Sequence, residues 1–219
     1  TQLLRGSAFR QGIPNCCFEK GDHMASISIQ DMSVSYNRGK SYVLDKLNLE
    51  VKDGEFCVFD TETTGLDSNV EALTEIGAVY VENGKINPDK SFCTFVNPGK
   101  PIPQKVVELT GINDSMVADA PTPAEAIRQF KEFCGDNILV AHNANSFDML
   151  FIRKAGDKAG VDFSNTYIDT LPMAQALFPG LHNYKLDTIN KHLEIQPFNH
   201  HRAGDDAMAL ARIFEVMLS

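Results

Sequence analysis

The chain has 219 residues, 43% of them apolar, no tryptophan and a formal net charge of −9. That length suits one domain plus an appendage with a sizeable core, and the acidic balance excludes a broad basic surface wrapping a duplex. It leaves room for a site whose acids are neutralised by bound cations. No apolar run reaches the length of a membrane span and no secretory signal stands out, so no membrane partner is expected. Five cysteines, at 16, 17, 57, 93 and 134, form no C-x-x-C pair and no Cys/His zinc spacing. Reduced thiols in a cytoplasm are the plain reading.

Taken in chain order, residues 1–26 lack periodicity and end in GDHMAS, a stretch like a cloning scar. They read as a tag or an unstructured arm, outside the fold. Residues 27–54 read as a β-rich extension: ISIQDMSVSY, a turn at Asn37–Gly39, then VLDKLNLEV, with EFCVF after it. Residues 27–58 resemble the first strands of an ABC-type ATPase. The phosphate loop of such an enzyme needs G-x-x-x-x-G-K-[ST], and the chain has DTETTGLDS there, so no ATPase is expected.

From Glu55 the pattern is that of one domain running to residue 219. EFCVFDTE and LTEIGAVYVE are strands, Asn83-Gly84 is a strong hairpin signal, and KSFCTFVNP holds a third strand. Thr122-Pro-Ala-Glu125 is a capping box with proline at the first helical position, opening a helix with Ile127, Phe130 and Phe133 inward. NILVAH is a fourth strand, Phe147 to about Ala159 a helix and YIDT a brief fifth strand. Helices start near Leu171 and Leu186, and the last runs from about Ala203 to Leu218. Hairpin-joined strands followed by alternating helix and strand predict an α/β fold: a mixed sheet with helices on both faces.

The stretch FDTETTG ends an apolar strand on two carboxylates, Asp60 and Glu62. Two apart, they share one face, and buried carboxylates need a partner. Asp148 stands where a strand gives way to a helix. In the final helix Asp206 shares a stripe with Leu210, Ile213, Phe214 and Met217, which faces the sheet, whereas Asp205 falls nearer solvent. Four carboxylates converging from three separate elements call for hard divalent cations with oxygen ligands, Mg²⁺ or Mn²⁺.

DTETTGL, AHNANSFD and HHRAGDDA resemble the three motifs of the DEDDh, or DnaQ-like, 3′→5′ exonucleases, and residues 57–219 follow that family throughout. The likeness is nearest the proofreading domain of PolC-type bacterial DNA polymerase III. It implies a ribonuclease H-like fold with a mixed five-stranded sheet, and two divalent metal ions held by Asp60, Glu62, Asp148 and Asp206. It also implies His201 as general base, an imidazole suited to proton transfer near neutrality. The backbone near Thr61 and the side chains of Glu62, Leu66 and Phe147 would meet the terminal nucleotide. The implied reaction is stepwise hydrolysis from the 3′ end of single-stranded or frayed DNA, releasing nucleoside 5′-monophosphates, with a polymerase as partner. RNA as substrate and a silent nucleic-acid-binding module are the alternatives.

His200–Asp205 repeats the spacing of His201–Asp206, and the family pattern selects the second pair, as does the helix phase. The chain also carries one residue more than the family between Ala144 and Phe147. Inside a helix it would turn Asp148 by about 100°. In the preceding loop it is absorbed, with Asn145 or Ser146 capping the helix, and the loop is the expectation.

Overall fold

The computed structural model describes residues 15–21, 24–35, 42–51, 55–195 and 201–219, with side chains from 56 to 195 and from 201 onward. It divides into two compact units, Thr1–Gly54 and Glu55–Ser219.

In the first unit β1 (Asn15–Gly21), β2 (Met24–Ser35) and β3 (Tyr42–Val51) form an antiparallel three-stranded sheet in that order. Asn15–Gly21 is a strand within residues 1–26, the stretch that reads as a tag or an unstructured arm. A strand held by a backbone ladder needs no side-chain period to announce it. The turn expected at Asn37–Gly39 lies outside the described residues.

The second unit opens with an antiparallel meander of β4 (Glu55–Thr63), β5 (Leu73–Glu82) and β6 (Lys85–Phe95). Asn83 and Gly84 turn β5 into β6, both left-handed at φ 53° and 72°, as a two-residue hairpin of this hand requires. Strands β7 (Ile138–Ala141) and β8 (Tyr167–Asp169) add in parallel, giving the order β6-β5-β4-β7-β8. The helices are α1 (Gln104–Thr110), α2 (Asp114–Val117), α3 (Pro123–Cys134), α4 (Asp148–Ala159), α5 (Thr170–Leu177), α6 (Leu186–His192) and α7 (Ala203–Leu218).

Strand alternation sends β4 side chains to two cores. Phe59 meets Phe130 of α3 at 5.3 Å between ring centroids, while Phe56 meets Phe214 of α7 edge-on at 5.0 Å. Helices therefore cover both faces. Helix α3 starts on the expected box: Glu125 N–H donates to Thr122 Oγ1 and Thr122 N–H to Glu125 Oε2. Helices α1 and α2 have seven and four residues, too few for a helical period to show. Their hold is tertiary: Ile102, Ile112 and Val117 cluster, and Ile102 N–H donates to Asp114 Oδ1 at 2.8 Å.

One glycine sets how near α7 comes to the sheet. A Cβ on Gly77 of β5 would lie 2.2 Å from the carbonyl carbon of Ala203, so only glycine admits the first turn of α7 there.

Candidate active site

At its far end β4 outruns its neighbour. The ladder to β7 stops at Val58–Val140, leaving Asp60, Thr61 and Glu62 at an open edge. Asp60 and Glu62 share the α7 side, and Asp206 in the first turn of α7 comes to meet them. One carboxylate oxygen from each of Asp60, Glu62 and Asp206 lies within 4.8 Å of the other two. Asp206 is buried and Asp205 exposed, the phase that the apolar stripe predicts.

Asp148 is not one of that trio. It begins α4, and its Oδ1 accepts from Thr61 N–H at 3.1 Å and from Thr61 Oγ1 at 2.7 Å. The amide freed where the ladder ends thus finds an acceptor, and the carboxylate is drawn alongside the trio. Both donors of Thr61 thus go to Asp148 and hold that acid at the end of β4. Asp206 Oδ2 accepts from the backbone N–H of His201 at 2.8 Å and of Arg202 at 3.2 Å. His201 itself is exposed, its backbone left-handed at φ 65°. Its rival His200 lies outside the described residues.

The electrostatics show how much negative charge is packed here. Burial pushes the Asp60 carboxyl well above the usual range, and Asp148, Asp206, Glu62 and Glu75 push it further. Glu62 is raised to about 8 by burial and then by Asp206, Glu75 and Asp148, against a downward pull from Arg202. Burial lifts Asp148 to about 7, opposed by its bonds from Thr61. An all-oxygen set of mutually repelling carboxylates fits a hard divalent cation.

These shifts have a sign. An acid whose folded pKa is raised stays protonated in the folded state after the unfolded chain has lost its proton, so stability falls as pH climbs between the two values. For Glu62 that window runs from 4.5 to about 8. We expect the melting temperature of the metal-free protein to fall by about 5 °C or more from pH 5.5 to pH 8. Millimolar Mg²⁺ or Mn²⁺ should restore most of it at pH 8 and release protons on binding at pH 7, seen by calorimetry in two buffers of different ionisation heat. A metal-free melting temperature that rises across that range contradicts the assignment.

Leu66, in the loop that follows β4, is 85% exposed. Phe147 is partly buried, its ring 5.0 Å from that of Phe151 and packed on the core. The extra residue lies ahead of α4, which begins at Asp148. Neither Asn145 nor Ser146 caps that helix: the capping position is Phe147, with no side-chain bond. Asn145 is instead pinned sideways, its N–H on Asp169 Oδ2 at 3.1 Å and its side chain accepting from the Tyr167 hydroxyl. A polar loop residue with two ready partners on β8 has no need to turn back to its own helix.

The model of the family described as Exonuclease (RNase_T) matches residues 57–214. The chain belongs to that exonuclease family. The exonuclease is 48% identical over 166 residues to DNA polymerase III PolC-type of Caldanaerobacter subterraneus subsp. tengcongensis, covering 76% of this chain and 12% of that one. It is 47% identical over 163 residues to the PolC-type polymerase of Clostridium perfringens, covering 74% and 11%. The chain thus spans about a tenth of the length of these curated relatives. Among solved structures, Exonuclease X in complex with 5′ overhanging duplex DNA aligns with a TM-score of 0.60 at 27% identity, covering 74% of this chain and 90% of that one. The zinc-bound E. coli ExoI–ssDNA complex aligns at 0.65 and 18% identity, covering 74% and 40%, a likeness of fold.

The mixed sheet is accordingly the ribonuclease H-like fold, and the enzyme is a nuclease, a hydrolase. The likeness of residues 27–58 to ATPase strands gains no support from these comparisons. Two residues of the site went unread in the sequence, Glu75 and Arg202. The available signal was a lone acid inside the apolar strand LTEIGAV, which the burial rule marks as needing a cation.

Proposed function

We propose that the exonuclease degrades DNA from the 3′ end, taking single strands or frayed termini and releasing nucleoside 5′-monophosphates in proofreading or repair. The observation that carries this is the trio Asp60, Glu62 and Asp206, with oxygens within 4.8 Å of one another and Asp148 alongside. Asp60, Glu62, Asp148 and Asp206 would hold two divalent ions, Mg²⁺ or Mn²⁺, which when bound would supply activation of the attacking water and charge neutralisation at the leaving 3′-oxygen. The residues do the rest. His201, exposed next to Asp206, accepts the proton of the water. Leu66, standing free of the surface, wedges against the terminal base, and Phe147 stacks on it at the mouth of the loop. Glu62 faces the same nucleotide. A site that takes a splayed end favours unpaired termini, because unpairing costs energy.

DNA is favoured over RNA because the relatives named above are DNA polymerases and a neighbour was solved on duplex DNA. A polymerase, in the same polypeptide or as a subunit, is the fitting partner, and the cytoplasm the fitting compartment.

The test is a matched pair of 5′-labelled DNA and RNA oligomers, with and without chelator. DNA should shorten in single steps from the 3′ end, at least tenfold faster than RNA, and stop in chelator. Shortening from the 5′ end, or digestion that ignores chelator, overturns the reading; faster loss of RNA transfers the same chemistry to RNA.

A further inference from the structure

We propose that Glu75 is a positioning residue for hydrolysis, a clamp that holds the turn carrying His201 and the start of α7. The inference rests on the nuclease reading above. Glu75 lies on β5 directly opposite Glu62 in the ladder, yet it is 1% exposed and turned onto Arg202. Arg202 Nη2 donates to its Oε1 at 2.7 Å, and Arg202 Nε reaches Oε1 and Oε2 at 3.3 and 3.2 Å. Ala203 N–H, the first of α7, donates to Oε2 at 2.8 Å. The guanidinium lies over Phe95, 5.2 Å from the ring centre.

One carboxylate thus grips both the side chain of Arg202 and the amide after it. Those residues flank what the site must hold still. The N–H groups of His201 and Arg202 are the ones that orient the Asp206 carboxylate. His201 sits in a left-handed conformation that a histidine adopts at a cost, so the surroundings must impose it. Arg202, at the capping position of α7, makes no side-chain cap. The clamp takes the place of a cap. It also ties the cation of Arg202 down beside the acid trio, where a loose guanidinium would compete with metal.

Glu75→Gln keeps the shape and removes the charge; Arg202→Lys keeps the charge and removes the fork. Arg202 is 39% exposed at its side chain, so its replacement leaves folding less at risk. Both variants should lower kcat at least tenfold with KM for a labelled oligomer changed less than threefold. Calorimetric Mn²⁺ affinity, which needs no turnover, should weaken at least fivefold, and Glu75→Asp should recover part of both. Thermal unfolding without metal reports on folding separately. A lowered melting temperature with parental kcat and Mn²⁺ affinity makes Glu75 a structural brace only and overturns the proposal. If the parent digests nothing with either metal, the nuclease reading fails, and the Mn²⁺ affinities of the variants still decide whether the clamp shapes the site.

Discussion

Asp60→Asn should cost the exonuclease about 10³-fold or more in turnover while raising the melting temperature of the metal-free protein. Activity falls because an anionic ligand at the end of β4 disappears; a thousandfold corresponds to about 4 kcal/mol of transition-state stabilisation. Stability rises for the same electrostatic reason. Burial and four acidic neighbours, Asp148, Asp206, Glu62 and Glu75, act against the charge of Asp60. A neutral isostere removes that repulsion and keeps the volume. A gain of about 1–2 kcal/mol, or roughly 3–6 °C, is expected at pH 8. It should shrink at pH 5.5, where the parent cluster holds more protons. Added Mg²⁺ should stabilise the parent and not the variant. An active Asp60→Asn, or a metal-free variant that melts below the parent at pH 8, removes Asp60 from the site.

Gly77→Ala should damage the molecule from beneath. The new Cβ would sit 2.2 Å from the carbonyl carbon of Ala203 and 2.3 Å from both its oxygen and the amide nitrogen of Gly204. All three are backbone atoms, so no side chain can swing away. Helix α7 must retreat by about 1 Å, taking Asp206 with it, and overpacking of this kind costs about 3 kcal/mol. We expect a melting temperature lower by roughly 6–12 °C. Turnover should fall about 10²-fold where the protein remains folded, since a 1 Å misplacement is enough for that. Gly204→Ala is the control. Its Cβ meets only the Cys93 side chain, at 3.3 Å from Sγ, and alanine favours a helix, so it should cost under about 1 kcal/mol. Equal effects of the two substitutions would mean that β5 and α7 do not approach as described.

What could be read in advance was what neighbouring residues decide among themselves. The Asn83-Gly84 turn, the capping box at Thr122 and the inward phase of Asp206 each depend on a few positions within one element, and each stands as the residues implied. Helices α1 and α2 escaped because one or two turns are too short to display a period; their residues are ordered by Asp114 and the Ile102 cluster. Asn145 and Ser146, the two residues between Ala144 and Phe147, both precede α4, in the loop where the sequence places the extra residue. The partners of Asn145, Asp169 and Tyr167, belong to the distant strand β8.

By itself, the order of residues determined the longer elements of the second unit, the family and which acids were candidates, since period, caps and motif spacing act over short stretches. Only the tertiary structure decided how those acids are held. Thr61 reaches Asp148 across 87 positions and Arg202 reaches Glu75 across 127. Contacts at such separations leave no local pattern, because nothing about either residue's neighbours says which distant group will come to meet it once the sheet has formed.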